Sequence, residues 1–204
     1  MKRFRGIVLA VGVVALLLVA TPVSADVAQV GNGAYVAGLP TETLADVVAR
    51  QRAPNWCWAA CIQMVLNYHQ VPVEQEEVVE RIYGGEVDAP ANLPQILHAL
   101  NGWAVEEDGQ QVRVMATSFG LTPQVVLRDL GERRPLIAGL VDGYGNGHAV
   151  VLTAVYYVVD GYGQPHFTYA VVRDPWPNRP SRQTVPWGPF AQHLSFLVRV
   201  GVQR

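Results

Sequence analysis

The chain has 204 residues, half of them hydrophobic, and a formal net charge of −2, which suits one domain with a sizeable buried core. No basic run occurs, so a nucleic-acid partner is excluded: phosphate binding needs clustered Lys and Arg. Two cysteines, Cys57 and Cys61, lie one helical turn apart and exclude a disulfide framework.

The N-terminus reads as a targeting segment. Lys2, Arg3 and Arg5 precede an apolar run from Gly6 to Ala20, and Val23-Ser24-Ala25 has the small-residue form of a signal-peptidase site. The run is shorter than the about 20 residues of a comfortable membrane span. Residues 1–25 are therefore expected to be a signal peptide. Cleavage removes three cations and no anion, leaving 179 residues at a net charge of −5. The mature chain is expected to be exported, periplasmic or secreted, monomeric, and free of the membrane.

Residues 26–50 read as an N-terminal arm or first strand followed by a short helix over Thr41–Val48; residues 51–204 form the main domain. From Cys57 to His69 the pattern predicts a helix apolar on most of its circumference, hence a buried one. Pro54 marks the turn before it, and Asn55 or nearby polar backbone is its expected cap. Shorter helices are predicted over 74–82, 93–100 and 123–130, the last capped by Thr122. Beyond Pro135 the segments 136–141, 149–159, 167–172 and 196–202 are rich in β-branched and aromatic residues and are separated by Gly- and Pro-rich turns. Helices first and strands after predict an α+β domain, a helical lobe against an antiparallel sheet. No internal repeat stands out.

A free thiol in an oxidising compartment needs a reason, and Cys57 has one. At the first turn of a buried helix it meets the positive end of the helix dipole and free backbone N–H groups, which favour thiolate. Gln51, upstream across a Pro-containing turn, can set its side-chain amide beside the Cys57 N–H, making an oxyanion hole. His148 opens an apolar strand behind a Gly-rich turn and is the expected base. Asp174, at the end of the next strand, is the expected acceptor that fixes its tautomer. Cys61, deeper in the helix, reads as a core residue. The other histidines, His69, His98, His166 and His193, lack comparable flanks.

These residues carry a resemblance. Gln51 six residues before Cys57, Trp58 directly after it, His148 in a Gly-His-Ala context, and Asp174 two residues before Trp176 together resemble papain-like cysteine peptidases. The string Asn-Trp-Cys-Trp-Ala-Ala-Cys is most similar to the compact bacterial branch typified by effector peptidases of plant pathogens. The resemblance implies a papain-like two-lobe fold, with the Cys57 helix in one lobe and His148 and Asp174 on the sheet lobe. It implies attack on peptide or isopeptide bonds of a protein or peptide substrate, with no cofactor and no metal. Asp174 stands where papain itself has Asn.

Trp58, Trp176 and Trp187 are expected to line the cleft, with Trp103 and Tyr144 helping to shape it. Cys57, Cys61 and His69 do not have a usual structural-zinc spacing, no HExxH occurs, and Gly-Tyr-Gly-Asn-Gly reads as a turn rather than a phosphate loop. Two other functions compete with hydrolysis: acyl transfer, as in transglutaminases, and a catalytically silent domain that holds a protein or peptide in the old cleft.

Overall fold

The computed structural model describes residues 27–203 apart from 32, 108 and 109. The predicted signal peptide lies outside the described residues. In chain order the elements are β1 (Val27–Gly31), β2 (Ala34–Gly38), a 3₁₀ turn (Ala45–Val47), α1 (Cys57–Tyr68), α2 (Gln75–Tyr83), α3 (Leu93–Leu100), β3 (Ala104–Glu107), β4 (Gln110–Phe119), α4 (Pro123–Gly131), β5 (Leu136–Val141), β6 (Gly147–Val159), β7 (Pro165–Arg173), β8 (Arg182–Pro186), α5 (Trp187–His193) and β9 (Leu194–Gln203).

The sheet is antiparallel and branches at β6, in the order β1-β2-β6-β5-β9-β4-β3 with β7 and β8 off the main path. Length causes the branch. β6 pairs with β5 through its first half, with β2 through its second, and with β7 along the other edge. Its near-continuous apolar run is what a strand covered on both faces requires. Ala149 and Val151 join the core under α1, while Val150 and Leu152 join a second core with Leu130 of α4 and Phe190 of α5. This is the α+β architecture expected from the sequence.

Local chemistry sets the helix ends. Glu74 and Glu77 form a capping box on α2, and Asn92 and Gln95 form one on α3. One expected cap is corrected and one keeps its position. The cap position of α1 is Trp56, which makes no side-chain cap bond, and the Asn55 backbone N–H donates instead to Asp88 Oδ1 at 2.8 Å. Thr122 holds the cap position of α4, but its hydroxyl makes no cap bond. The helix predicted over Thr41–Val48 contracts to the single 3₁₀ turn.

The helices-then-strands order is also broken. The β3–β4 hairpin falls between α3 and α4, and β8 and α5 occupy a stretch given no element from sequence. One turn is used twice: Asp142-Gly-Tyr-Gly-Asn146 and Asp160-Gly-Tyr-Gly-Gln164 close the two ends of β6. In each, Oδ1 of the aspartate accepts two backbone N–H bonds at 2.8–2.9 Å, and the second glycine has positive φ.

Candidate active site

Cys57 begins α1, and the two indoles beside it hold it there. Trp56 Nε1 donates to the Val87 carbonyl at 2.9 Å and Trp58 Nε1 to that of Ala89 at 3.1 Å. The Trp-Cys-Trp string is thus bolted on both sides of the cysteine to the loop between α2 and α3. Cys57 is half-buried and Cys61 fully buried, and both are free. Burial, with the charges of Cys57 and Asp174, pushes the Cys61 thiol well up, as befits a core residue.

His148 is the second residue of β6, and β7 runs antiparallel beside it, so Asp174, the first residue past β7, returns to the same end of the sheet. His148 Nε2 donates to Asp174 Oδ1 at 2.9 Å. The remaining ring nitrogen is left for Cys57, with which the imidazole also interacts. Burial pushes the imidazolium pKa down, but the bonds to Asp174 and Cys57 and the charges of both outweigh it and raise it to about 9. Asp174 is 3 % exposed, and burial pushes its carboxyl pKa up. The His148 bond, the Trp176 backbone N–H at 2.9 Å, the His148 charge and Gln183 reverse this, holding it below the ordinary value.

Gln51 is buried beside these groups, yet its amide is turned toward its own loop. Nε2 donates to the carbonyls of Ala53 at 3.1 Å and Pro54 at 2.7 Å, and Oε1 is enclosed with no hydrogen-bond partner. The predicted free donor beside the Cys57 N–H is therefore engaged locally in this conformation. Around it lies a polar chain that sequence reading missed. Gln75, buried, accepts from the Arg52 N–H at 3.0 Å and donates to the Arg50 carbonyl at 2.8 Å, gripping the backbone on both sides of Gln51, and Gln63 supports Gln75. Arg50 donates to the carbonyls of Asp174 and Trp176 at 3.2 and 2.7 Å, tying this loop to the acid.

Two cavities meet at His148. One, about 450 Å³, is lined by Cys57, Trp58, Ile96, Gly139, His148 and Phe196. The other, about 650 Å³, lies on the side of His148 where Trp176 packs edge-on with centroids 6.2 Å apart, and is bounded also by Asp142, Arg179, Phe190 and His193. Trp58 lines the smaller cavity and Trp176 the larger. Trp187 lines neither: it packs into the second core against Phe167 and Phe190, its ring 4.6 and 5.4 Å from theirs. Trp103 packs on the first core under Arg81, and Tyr144 stands 94 % exposed at its turn. Among the described residues no three His, Cys, Asp or Glu side chains converge to hold a metal, and no helix is long and apolar enough to cross a membrane.

A family model described as papain-like cysteine protease AvrRpt2 matches residues 41–194. The chain belongs to that family. It is a papain-like cysteine peptidase. Among solved structures, the peptidase domain of Streptococcus ComA, a bi-functional ABC transporter involved in a quorum-sensing pathway, is similar in fold. It is 13% identical over 76% of this chain and 95% of that one, with a TM-score of 0.52. A double glycine motif protease from an AMS/PCAT transporter, solved in complex with the leader peptide, is 19% identical over 75% of this chain and 89% of that one, with a TM-score of 0.46. No curated protein matches the peptidase.

Proposed function

We propose that this peptidase is exported and hydrolyses peptide or isopeptide bonds through an acyl-enzyme on Cys57. The observation that carries the reading is His148 held between Asp174, at 2.9 Å, and Cys57, with its pKa raised to about 9. An imidazole so placed can take the thiol proton and leave the sulfur as nucleophile. Cys57 Sγ adds to the carbonyl carbon, and the oxyanion is met by the Cys57 backbone N–H and by Gln51. For Gln51 to take part, its amide must turn from the Ala53 and Pro54 carbonyls toward the bound substrate carbonyl.

His148 then gives its proton to the leaving amine, which departs, and the thioester remains. Water, losing a proton to His148, attacks the thioester; the acid is released and Cys57 is restored. The cavity of about 450 Å³ beside Cys57 suits the acyl portion, and the larger one beyond His148 the leaving portion. Residues 1–25 are proposed as the export signal and the remainder as one monomeric peptidase domain with an N-terminal arm.

Iodoacetamide tests the pair. Cys57, not Cys61, is expected to be labelled at mildly acidic pH, with labelling lost in His148→Ala. Labelling that rises only near pH 8–9, like an ordinary thiol, and ignores His148 overturns the mechanism. Export is tested separately by the N-terminal sequence of the recovered protein, expected to begin at Asp26.

A further inference from the structure

Away from His148, one cavity is lined by two arginines and, among the described residues, no acid. It encloses about 390 Å³ beneath the segment that leaves β2, against β6, β7 and β8, and its wall joins polar groups to apolar ones that include Val36, Leu39, Leu44 and Val171. Arg173 and Arg182 face each other in register across β7 and β8, and both line it. Like charges set opposite one another across an antiparallel pair destabilise it, and a buried cation is costly unless paired.

Arg173 bears that cost without a counter-charge among the described residues. It is 8 % exposed, yet its one side-chain hydrogen bond runs from Nη2 to the neutral carbonyl of Thr41, at 2.6 Å. Burial and the charge of Arg182 both push its pKa down, and no carboxylate opposes them. Arg182 has no side-chain hydrogen bond or ion pair among the described residues. The remaining Arg173 nitrogens are not fully enclosed, and the residue lines the cavity. By contrast, Arg199 gives both Nε and Nη2 to the buried Asp129.

We propose that this cavity binds a small organic carboxylate, its charged end on Arg173 and Arg182 and its apolar body along Leu39 and Leu44. A guanidinium fork matches a carboxylate in two parallel bonds, and the apolar wall selects for a ligand that carries more than charge.

The test titrates the protein with hexanoate, followed by calorimetry and by Tm, beside 1-hexanol and inorganic phosphate. Hexanoate is expected to bind at one saturable site, with hexanol silent and phosphate at least about tenfold weaker, because neither supplies both halves of the recognition. Arg182→Ala, at an exposed position that folding tolerates, should weaken hexanoate by about tenfold or more, and Arg173→Met should abolish its binding. Hexanoate no tighter than hexanol, phosphate as tight as hexanoate, or an unchanged affinity in Arg182→Ala would each overturn the assignment.

Discussion

Gln183 Nε2 donates to Asp174 Oδ2 at 2.9 Å, the carboxylate oxygen that His148 leaves open. The same amide reaches the Pro180 carbonyl at 3.1 Å, so the side chain is fixed at both ends of its turn. Gln183 acts through Asp174 and is a positioning residue. Gln183→Leu removes a bond to a charged group, worth about 1.5–3 kcal/mol, and kcat/KM is expected to fall by about tenfold or more. Gln183 also helps keep the Asp174 carboxyl ionised. The acid edge of the pH–rate profile should therefore move to higher pH in the variant, a shift that simple loosening of the fold would not give.

The basic edge reports His148. Its pKa, raised to about 9, keeps the imidazolium through neutral pH, so kcat/KM is expected to hold and then fall as pH passes about 9. Asp174→Asn deletes the acceptor charge that helps raise it, and the basic edge should move down toward the ordinary value near 6.5. Linkage gives the matching stability signature. A raised histidine pKa stabilises fully below about pH 6.5 and loses that stabilisation as pH rises through about 9. Between those values Tm should fall more in the wild type than in Asp174→Asn, and a pH series of melting curves reads the difference.

The sequence made the chemistry of the site legible and left its support hidden, for a physical reason. Cys57, His148 and Asp174 declare themselves by residue type at special positions: a helix start, a strand start, a strand end. Strand pairing then converts the last two positions into a 2.9 Å contact. Gln183, Gln75 and Arg50 act through hydrogen bonds that span 9 to 126 residues and carry no local pattern. Gln183 was further concealed because β8 is a short strand of polar and apolar residues at the sheet edge. In the β3–β4 hairpin the signal was present and overlooked: Val112, Val114 and Ala116 alternate inward along β4. Trp187 shows the converse. An indole near the end of the chain suits a cleft and a core equally, and only the packing of α5 on Phe167 decides for the core.

Trp56 is expected to matter as much as Trp58, although only the latter follows the cysteine. Trp56→Phe keeps the ring in its buried site and deletes the Nε1 bond to Val87. The Val87 carbonyl keeps the Ala89 backbone N–H at 2.9 Å, so the loss is that of one ordinary hydrogen bond, about 0.5–1.5 kcal/mol in stability. The start of α1 also loses one of its two bolts to the loop between α2 and α3, so Cys57 alkylation should slow relative to wild type. Denaturant unfolding and the alkylation rate check the two effects separately. An unchanged alkylation rate would mean that Trp58 alone positions the cysteine.

Gly139 keeps the cavity beside Cys57 open by having no side chain. A Cβ there would stand 2.2 Å from two atoms of the Phe196 ring, closer than any real contact, and both residues line the cavity. β5 is fixed on both sides by β6 and β9, which leaves the ring as the part that must move. Gly139→Ala is therefore expected to cost about 1–3 kcal/mol, as overpacking does, and to push Phe196 toward the space a substrate side chain would fill. Peptide hydrolysis should lose kcat/KM mainly through KM, since neither Cys57 nor His148 is touched. Gly139→Ala combined with Phe196→Leu gives the added methyl room and should recover part of both losses. Measured Tm and steady-state kinetics on the single and double variants decide it: a single variant as stable and as active as wild type would show that the ring yields without cost and that this glycine does not set the width of the cavity.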